Sequence, residues 1–106
     1  LRRDPVYGVS LTLGMGGVTA ELLADTVTLV LPVGRDAVVG ALRGLRLFTL
    51  LDGYRGRARA DVASLADLVL RLCGLMLEGD FEEIEVNPVL VFAQGAMAVD
   101  ALIRKG

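Results

Sequence analysis

Histidine is absent from this chain. That removes histidine general-base chemistry, serine–histidine triads and the usual zinc sites from its own repertoire. It leaves magnesium open, because magnesium prefers oxygen ligands. Cysteine is nearly absent. Cys73 is the single copy, so no intramolecular disulfide can form, which fits a reducing compartment. Cys73 falls in an apolar helical run and reads as a small core residue. Concentrated positive charge is missing too. The 11 Lys and Arg are scattered against 13 Asp and Glu, for a net charge of −2. That argues against nucleic acid as a partner. No apolar run is long enough and free enough of charge to span a bilayer. No secretory leader pattern is visible. The expectation is a cytoplasmic protein with no membrane partner.

Apolar residues, by contrast, are plentiful: 54% of the 106 residues are hydrophobic. The length is that of one domain or less. So much apolar surface exceeds what one small core readily hides, and part of it is expected to face a partner or missing sequence. The opening Leu1-Arg2-Arg3-Asp4-Pro5 reads like the interior of a longer polypeptide. Residues 1–106 are therefore read as a single partial domain.

Val9, Leu11 and Leu13 alternate with Ser10 and Thr12, which predicts a half-buried strand. It runs into the glycine-rich turn Gly14-Met15-Gly16-Gly17. A second strand is expected over 26–31, closed by Pro32. A helix is expected over 36–45, capped by Gly34 or Asp36, with Gly40 and Gly44 weakening it. A polar loop follows, and Asp61 then caps the strongest helix, over 61–77. There Val62, Leu65, Val69, Leu72 and Met76 recur at helical spacing, and further leucines imply cover on more than one side. Gly79-Asp80 ends it. Strands, helices and a closing hairpin in that order predict an α+β fold. The expected form is an antiparallel or mixed sheet of about four strands with two helices packed on one face.

The hairpin carries the sharpest signal. Its first strand, over 84–92, places Glu83, Glu85 and Asn87 at odd positions. Ile84, Val86, Leu90 and Phe92 fall at even ones. Period two then puts Glu85 and Asn87 on one face. A two-residue turn at Gln94-Gly95 would pair Ala93 with Ala96 and Val89 with Asp100. Asp100, in a second strand over 97–103, would join the polar face, diagonal to Asn87 at roughly 7–8 Å. A three-residue loop would send Asp100 to the other face. Two readings fit: a plain solvated strand face, or a site for a hard cation. Asp100 sits in an apolar run poorly suited to it, and Pro88 suggests an edge strand or a bulge.

Two upstream segments bear on phosphate. Glycine-rich turns after strands can bring backbone amides close to phosphate, although the spacing at Gly14, Gly16 and Gly17 matches neither the P-loop nor the dinucleotide fingerprint. Taken alone, a plain tight turn is the favoured reading. Glu21, just after, reads by itself as a surface carboxylate. In Gly53-Tyr54-Arg55-Gly56-Arg57 two glycines bracket Arg55. Arginine offers bidentate recognition of phosphate or carboxylate, and a solvated basic loop is the alternative.

Taken together, these residues resemble a family. Asp4-Pro5-Val6-Tyr7-Gly8, then Leu13-Gly14-Met15-Gly16-Gly17-Val18 with Glu21, is similar to the "DPxFG…GLGGI…E" run of ATP-grasp domains in NDP-forming acyl-CoA synthetases. Gly53-Tyr54-Arg55-Gly56 resembles the family's "GYRG" loop. Glu85-Val86-Asn87-Pro88 and Val99-Asp100-Ala101 resemble its "DINPL…VDAR" ending, and succinyl-CoA synthetase β chains carry a similar "EINP…D" hairpin. The resemblance covers nearly the whole chain, in order. Departures are Ala24 where the family usually has lysine, Ala20 where it is bulky and apolar, and Glu85 where Asp is common.

The resemblance implies the carboxy-terminal lobe of an ATP-grasp domain, from such a synthetase or from an acetyltransferase fused to one. It implies magnesium and ATP or ADP as ligands, with coenzyme A bound by other domains. A histidine of another domain would carry the phosphoryl group. Asn87 and Asp100 would be magnesium ligands. Gly14, Gly16, Gly17, Glu21, Arg55 and Glu85 would lie near the nucleotide, and no residue here would be catalytic. The partners implied are the other ATP-grasp lobe and the coenzyme A domains. By itself the chain is expected to form no acyl-CoA. A sheet edge left without its neighbour strand is expected to invite homodimers. The rival expectation is a non-catalytic scaffold or regulatory module with a relic ATP-grasp fold.

Overall fold

The computed structural model describes residues 1–14, 25–46, 48–51, 53 and 59–106. In chain order the elements are β1 (Arg2–Asp4), β2 (Gly8–Gly14), β3 (Thr26–Val30), α1 (Arg35–Arg43) and α2 (Phe48–Leu51). Then come α3 (Val62–Glu78), β4 (Phe81–Val86), β5 (Val89–Val91), β6 (Ala96–Ala98) and β7 (Ala101–Lys105).

Local chemistry explains the boundaries. In β2 the alternating Val9 and Leu11 are each 4% exposed, while Thr12 faces out and meets the Thr28 hydroxyl at 3.0 Å. α1 begins after Gly34, carries Asp36 in its first turn and Arg43 in its last, and buries Val38 and Leu42 one turn apart. At the start of α3, the Asp61 carboxylate accepts from the Ser64 backbone N–H at 3.0 Å and from the Ser64 hydroxyl at 2.7 Å. Leu65, Ala66, Val69, Cys73 and Met76 form its buried stripe. The helix ends at Gly79, whose N–H reaches back to the Leu75 carbonyl at 2.9 Å. An exposed Arg35–Asp67 ion pair joins α1 to α3.

The architecture is α+β, as expected, with the helices on one face of an antiparallel sheet. The strand number differs. Among the described residues, five strands run in the order β3-β2-β1-β4-β7, and β5-β6 forms a separate two-stranded sheet. The strand that periodicity missed is β1. Its Arg-Arg-Asp sequence has no apolar alternation, and all three residues are exposed. Its ladder carries it instead: Arg2 pairs with Ser10 on one side and with Glu83 on the other. Arg3 adds a tie, donating from Nε to the Phe81 carbonyl at 3.0 Å and from its guanidinium to the Met76 carbonyl at the end of α3. Asp4 closes the turn into β2 by accepting from the Val6 and Tyr7 backbone N–H groups at 2.7 and 2.9 Å. Gly8 follows at φ +86°, a conformation L side chains rarely adopt.

The core lies between the sheet and the helices. Among the described residues, Met76, Ile84 and Val38 are its largest fully buried side chains. Cys73 is buried there, as expected, and burial pushes its thiol above the ordinary range. Among the described residues, no helix is long and apolar enough to cross a membrane.

Candidate functional site

The closing hairpin positions the candidate site, but not in the expected register. β4 pairs with β7 as Glu85↔Leu102 and Val86↔Ala101, and β5 pairs with β6 as Val89↔Ala98 and Val91↔Ala96. The turn residues are Ala93 and Gln94, because the Phe92 N–H donates to the Gly95 carbonyl at 2.9 Å. Val89 therefore opposes Ala98 rather than Asp100, and the expected Gln94-Gly95 turn is displaced by one residue. Gly95 takes a positive φ of 97° and exits the turn. That moves each pairing by two residues. A two-residue slip leaves every side chain on its original face, whereas a one-residue slip would invert them. Asn87 now stands directly opposite Asp100, and its backbone N–H donates to the Asp100 carbonyl at 3.0 Å.

Pro88 is neither on an edge strand nor in a bulge. It interrupts the ladder, since it has no N–H to donate. The Asn87–Pro88 peptide is cis. On either side of the break different positions turn inward. In β4, Ile84 is 2% exposed and Val86 packs on the core, whereas in β5 it is Val89 and Val91 that do so. Leu90 and Phe92, expected to share the face of Ile84, are instead 42% and 47% exposed. Asn87 and Asp100 thus stand at the joint between the two ladders.

A groove of about 330 Å³ opens at this joint, lined by Glu85, Asn87, Asp100, Ala101 and Leu102. All three expected oxygen-bearing side chains therefore face one concavity. Asp100 accepts from the Ala101 backbone N–H at 2.9 Å, and a carboxylate keeps further lone pairs beyond one such bond. One residue further along the same face, Glu83 is held by Arg104 through contacts of 3.0 and 2.7 Å. That pair consumes the next acid, so the groove offers two carboxylates and one amide. Among the described residues, no three His, Cys, Asp or Glu cluster as a metal-binding group.

Gly14 ends β2 opposite Thr26. A Cβ there would meet the Asp25 carbonyl at 2.8 Å and the Thr26 methyl at 2.7 Å, so crowding against β3 alone demands glycine. Gly16, Gly17, Glu21 and Arg55 lie outside the described residues. Gly53, which leads into the arginine loop, has φ +88°.

Sequence reasoning overlooked the residue that fixes the hairpin tip. Asp61, noted only as a helix cap, also accepts from the Gly95 N–H at 2.8 Å, while its own N–H donates to the Phe92 carbonyl at 2.6 Å. These bonds pin the turn to the start of α3. Hydrogen bonds from the Ser64 hydroxyl, the Ser64 amide and the Gly95 amide hold the Asp61 carboxyl below its usual range. The available signal was an Asp-x-x-Ser cap beside a hairpin, which does not itself name the second partner. Asp25 was also passed over. It is 5% exposed and accepts from the Arg46 backbone N–H at 2.8 Å, tying β3 to the segment after α1.

Known proteins share this arrangement of elements. Residues 1–104 match the model of an ATP-grasp domain family. The chain is 32% identical over 100 residues to the β subunit of an ADP-forming acetate–CoA ligase from Pyrococcus furiosus, covering 93% of this chain and 43% of that one. It is 37% identical over 101 residues to an ADP-forming acetate–CoA ligase from Archaeoglobus fulgidus, covering 94% of this chain and 15% of the relative. Among solved structures, a dinucleotide-forming acetyl-coenzyme A synthetase from Ca. Korarchaeum cryptofilum superposes with a TM-score of 0.92 at 29% identity. That match covers 99% of this chain and 50% of the other, and that protein was captured with coenzyme A and Mg-AMPPCP. The chain spans half or less of each of these relatives.

Proposed function

This chain belongs to the ATP-grasp family, and from that premise we propose that it is the carboxy-terminal lobe of the ATP-grasp unit of an ADP-forming acyl-CoA synthetase. Its task there is to hold a magnesium-bound adenine nucleotide. The observation that carries this reading is the convergence of Glu85, Asn87 and Asp100 on one groove at the joint of the hairpin.

The donor set suits the ion. Magnesium binds hard oxygen ligands, usually takes one or two protein carboxylates, and completes its octahedron with water and phosphate oxygens. Two carboxylates and an amide oxygen match that demand better than a dense acidic cage would. Asn87 and Asp100 would hold the metal. Glu85, on the same face, would orient a metal-bound water or the nucleotide. Gly14, Gly16, Gly17, Glu21 and Arg55 are assigned to the nucleotide side by resemblance to the family. When bound, magnesium would neutralise and orient the phosphoryl group being transferred.

The remaining machinery belongs to partners: a second ATP-grasp lobe, coenzyme A domains, and the domain whose histidine carries the phosphoryl group. The working compartment is the cytoplasm. On this reading the 106-residue chain alone forms no acyl-CoA. Exposed Leu90 and Met97, paired across β5 and β6, supply an apolar surface for those partners. The same surface is what a non-catalytic scaffold would use, so the metal groove is the discriminating feature.

Titration with magnesium in the presence of ADP, followed by backbone NMR, tests the reading. Shifts concentrated at Glu85, Asn87 and Asp100 are the expected result. Shifts spread evenly, or confined to the Leu90–Met97 face, would favour the scaffold.

A further inference from the structure

The open face of the main sheet carries its charge in rows across β4 and β7. In one row Glu83 stands opposite Arg104, which holds it through contacts of 3.0 and 2.7 Å, and opposite Arg2 of β1 on its other side. In the next row Glu85 stands opposite Leu102. In the third, Asn87 stands opposite Asp100, their backbones joined by a hydrogen bond of 3.0 Å. Rows on one face are roughly 7 Å apart, and directly opposed residues share that face. The same two strands therefore neutralise one glutamate and leave the next without a cation. Among the described residues, no ion pair or hydrogen bond holds the Glu85 carboxylate.

Leu102 makes the difference between the rows. It is 53% exposed and lines the groove together with Glu85, Asn87 and Asp100. A leucine so exposed gains little from burial, so packing does not explain its place in a polar groove. An arginine would fit the position, as Arg104 fits the same face one row away. The "VDAR" ending that Val99-Asp100-Ala101 resembles has arginine where this chain has Leu102. Leucine carries no charge and donates no hydrogen bond, so every lone pair of the Glu85 carboxylate stays open. Its apolar side chain also thins the water around that carboxylate, which strengthens the field there. Asp100 lies diagonal to Glu85, one row along, and has no ion pair among the described residues either. A guanidinium at position 102 would pair with Glu85 as Arg104 pairs with Glu83, and would leave the groove one free carboxylate instead of two.

We propose that Leu102 sets the divalent-cation affinity of the groove, by keeping the position opposite Glu85 free of positive charge so that Glu85 and Asp100 both act on the ion. This role rests on the magnesium reading of Asn87 and Asp100, and adds to it a residue that ligates nothing. Leu102 works through the charge of its cross-strand neighbour. Each free carboxylate attracts a divalent ion twice as strongly as a monovalent one, so a groove that keeps both favours magnesium over sodium or potassium. A fixed cation opposite Glu85 would oppose the divalent ion by the same factor. At the separation of neighbouring rows that amounts to a loss of affinity on the order of tenfold at low ionic strength, and it shrinks as salt screens it.

The test is a Leu102 series titrated with magnesium chloride alone, without nucleotide, and followed by backbone NMR at Asn87 and Asp100. Leu102→Gln, neutral and of similar size, is expected to stay within about twofold of the parent chain. Leu102→Arg and Leu102→Lys should each bind magnesium on the order of tenfold more weakly. Repeating the series in roughly 0.5 M potassium chloride should bring the variants together. Tm should change little across the series, because position 102 is exposed. Equal weakening by Gln and Arg would assign Leu102 a packing role, and an Arg effect that salt leaves unchanged would be steric. Either result overturns the proposal, as does a series with no differences. A parent chain that responds to magnesium only when ADP is added would overturn this proposal alone, since its own carboxylates would then not draw the ion. No response even with ADP would overturn the metal reading as well.

Discussion

The two halves of the closing hairpin share one register but do different work. The inner ladder, β4 with β7, belongs to the five-stranded sheet and buries Ile84 against the helices. The outer ladder, β5 with β6, stands apart, turns Val89 and Val91 inward instead, and is fastened to α3 by Asp61. Asn87 and Asp100 lie between them and belong to neither. A site at such a joint takes its geometry from two anchors at once. Loosening either should disturb it, while changing the site's own side chains should leave both anchors intact.

The largest effect is expected at the inner anchor. Ile84→Ala removes a side chain that is 2% exposed, and should cost about 2–5 kcal/mol in chemical denaturation. Leu90→Ala, at a position 42% exposed on the outer ladder, should cost well under half as much. Equal losses at the two positions would mean that the two ladders do not differ in burial as described.

The outer anchor comes next. Asp61→Ala removes the cap of α3 and the acceptor for the Gly95 N–H together. Tm should fall by a few degrees. Amide exchange at Gly95 should accelerate on the order of tenfold, while exchange within β4 changes much less. Acceleration spread uniformly over both ladders would show that Asp61 supports the whole fold rather than the tip.

Changing the joint itself should separate site from scaffold. Asp100→Asn keeps the size of an exposed side chain, so stability should stay within about 0.5 kcal/mol of the parent chain. The magnesium-dependent shifts at Asn87, read in the presence of ADP, should weaken on the order of tenfold. An unaltered titration would remove Asp100 from the metal reading while leaving the fold description untouched.

This division also explains what the sequence could disclose. Elements built on periodic burial were legible: β2 from Val9 and Leu11, and α3 from Leu65, Val69 and Met76. So was the polar face of the hairpin, because period two survives a two-residue error in the turn. β1 was invisible because Arg2, Arg3 and Asp4 carry no burial signal, and long-range ladder bonds hold that strand in place. The inward switch from Ile84 to Val89 was invisible for a related reason. Pro88 announces a break in the ladder but not the direction in which the chain turns afterwards. The second role of Asp61 depends on a partner in the hairpin turn, which only the fold brings near. For Gly16, Gly17, Glu21 and Arg55 the family resemblance remains the sole argument.

The smallest effect expected is an acid limb in stability that reports the outer anchor. The Asp61 carboxylate is held below its ordinary value of 3.8 by the Ser64 hydroxyl, the Ser64 amide and the Gly95 amide. The unfolded chain lacks those donors, so near pH 3.8 it binds more protons than the folded chain does, and stability rises with pH there. The contribution is fully present above 3.8 and is lost as pH falls through the lowered folded value. Asp4, lowered by its bonds from the Tyr7 and Val6 amides, adds to the same limb from the β1–β2 turn. Asp61→Asn cannot titrate, so its stability curve below pH 3.8 should be shallower than that of the parent chain. Thermal melts of both chains at half-unit pH steps read the difference. Superimposable acid limbs would mean that the carboxylate at the helix start does not hold the hairpin tip in solution, and the outer ladder would then be held by the bond from the Asp61 N–H to the Phe92 carbonyl and by the packing of Val89 and Val91.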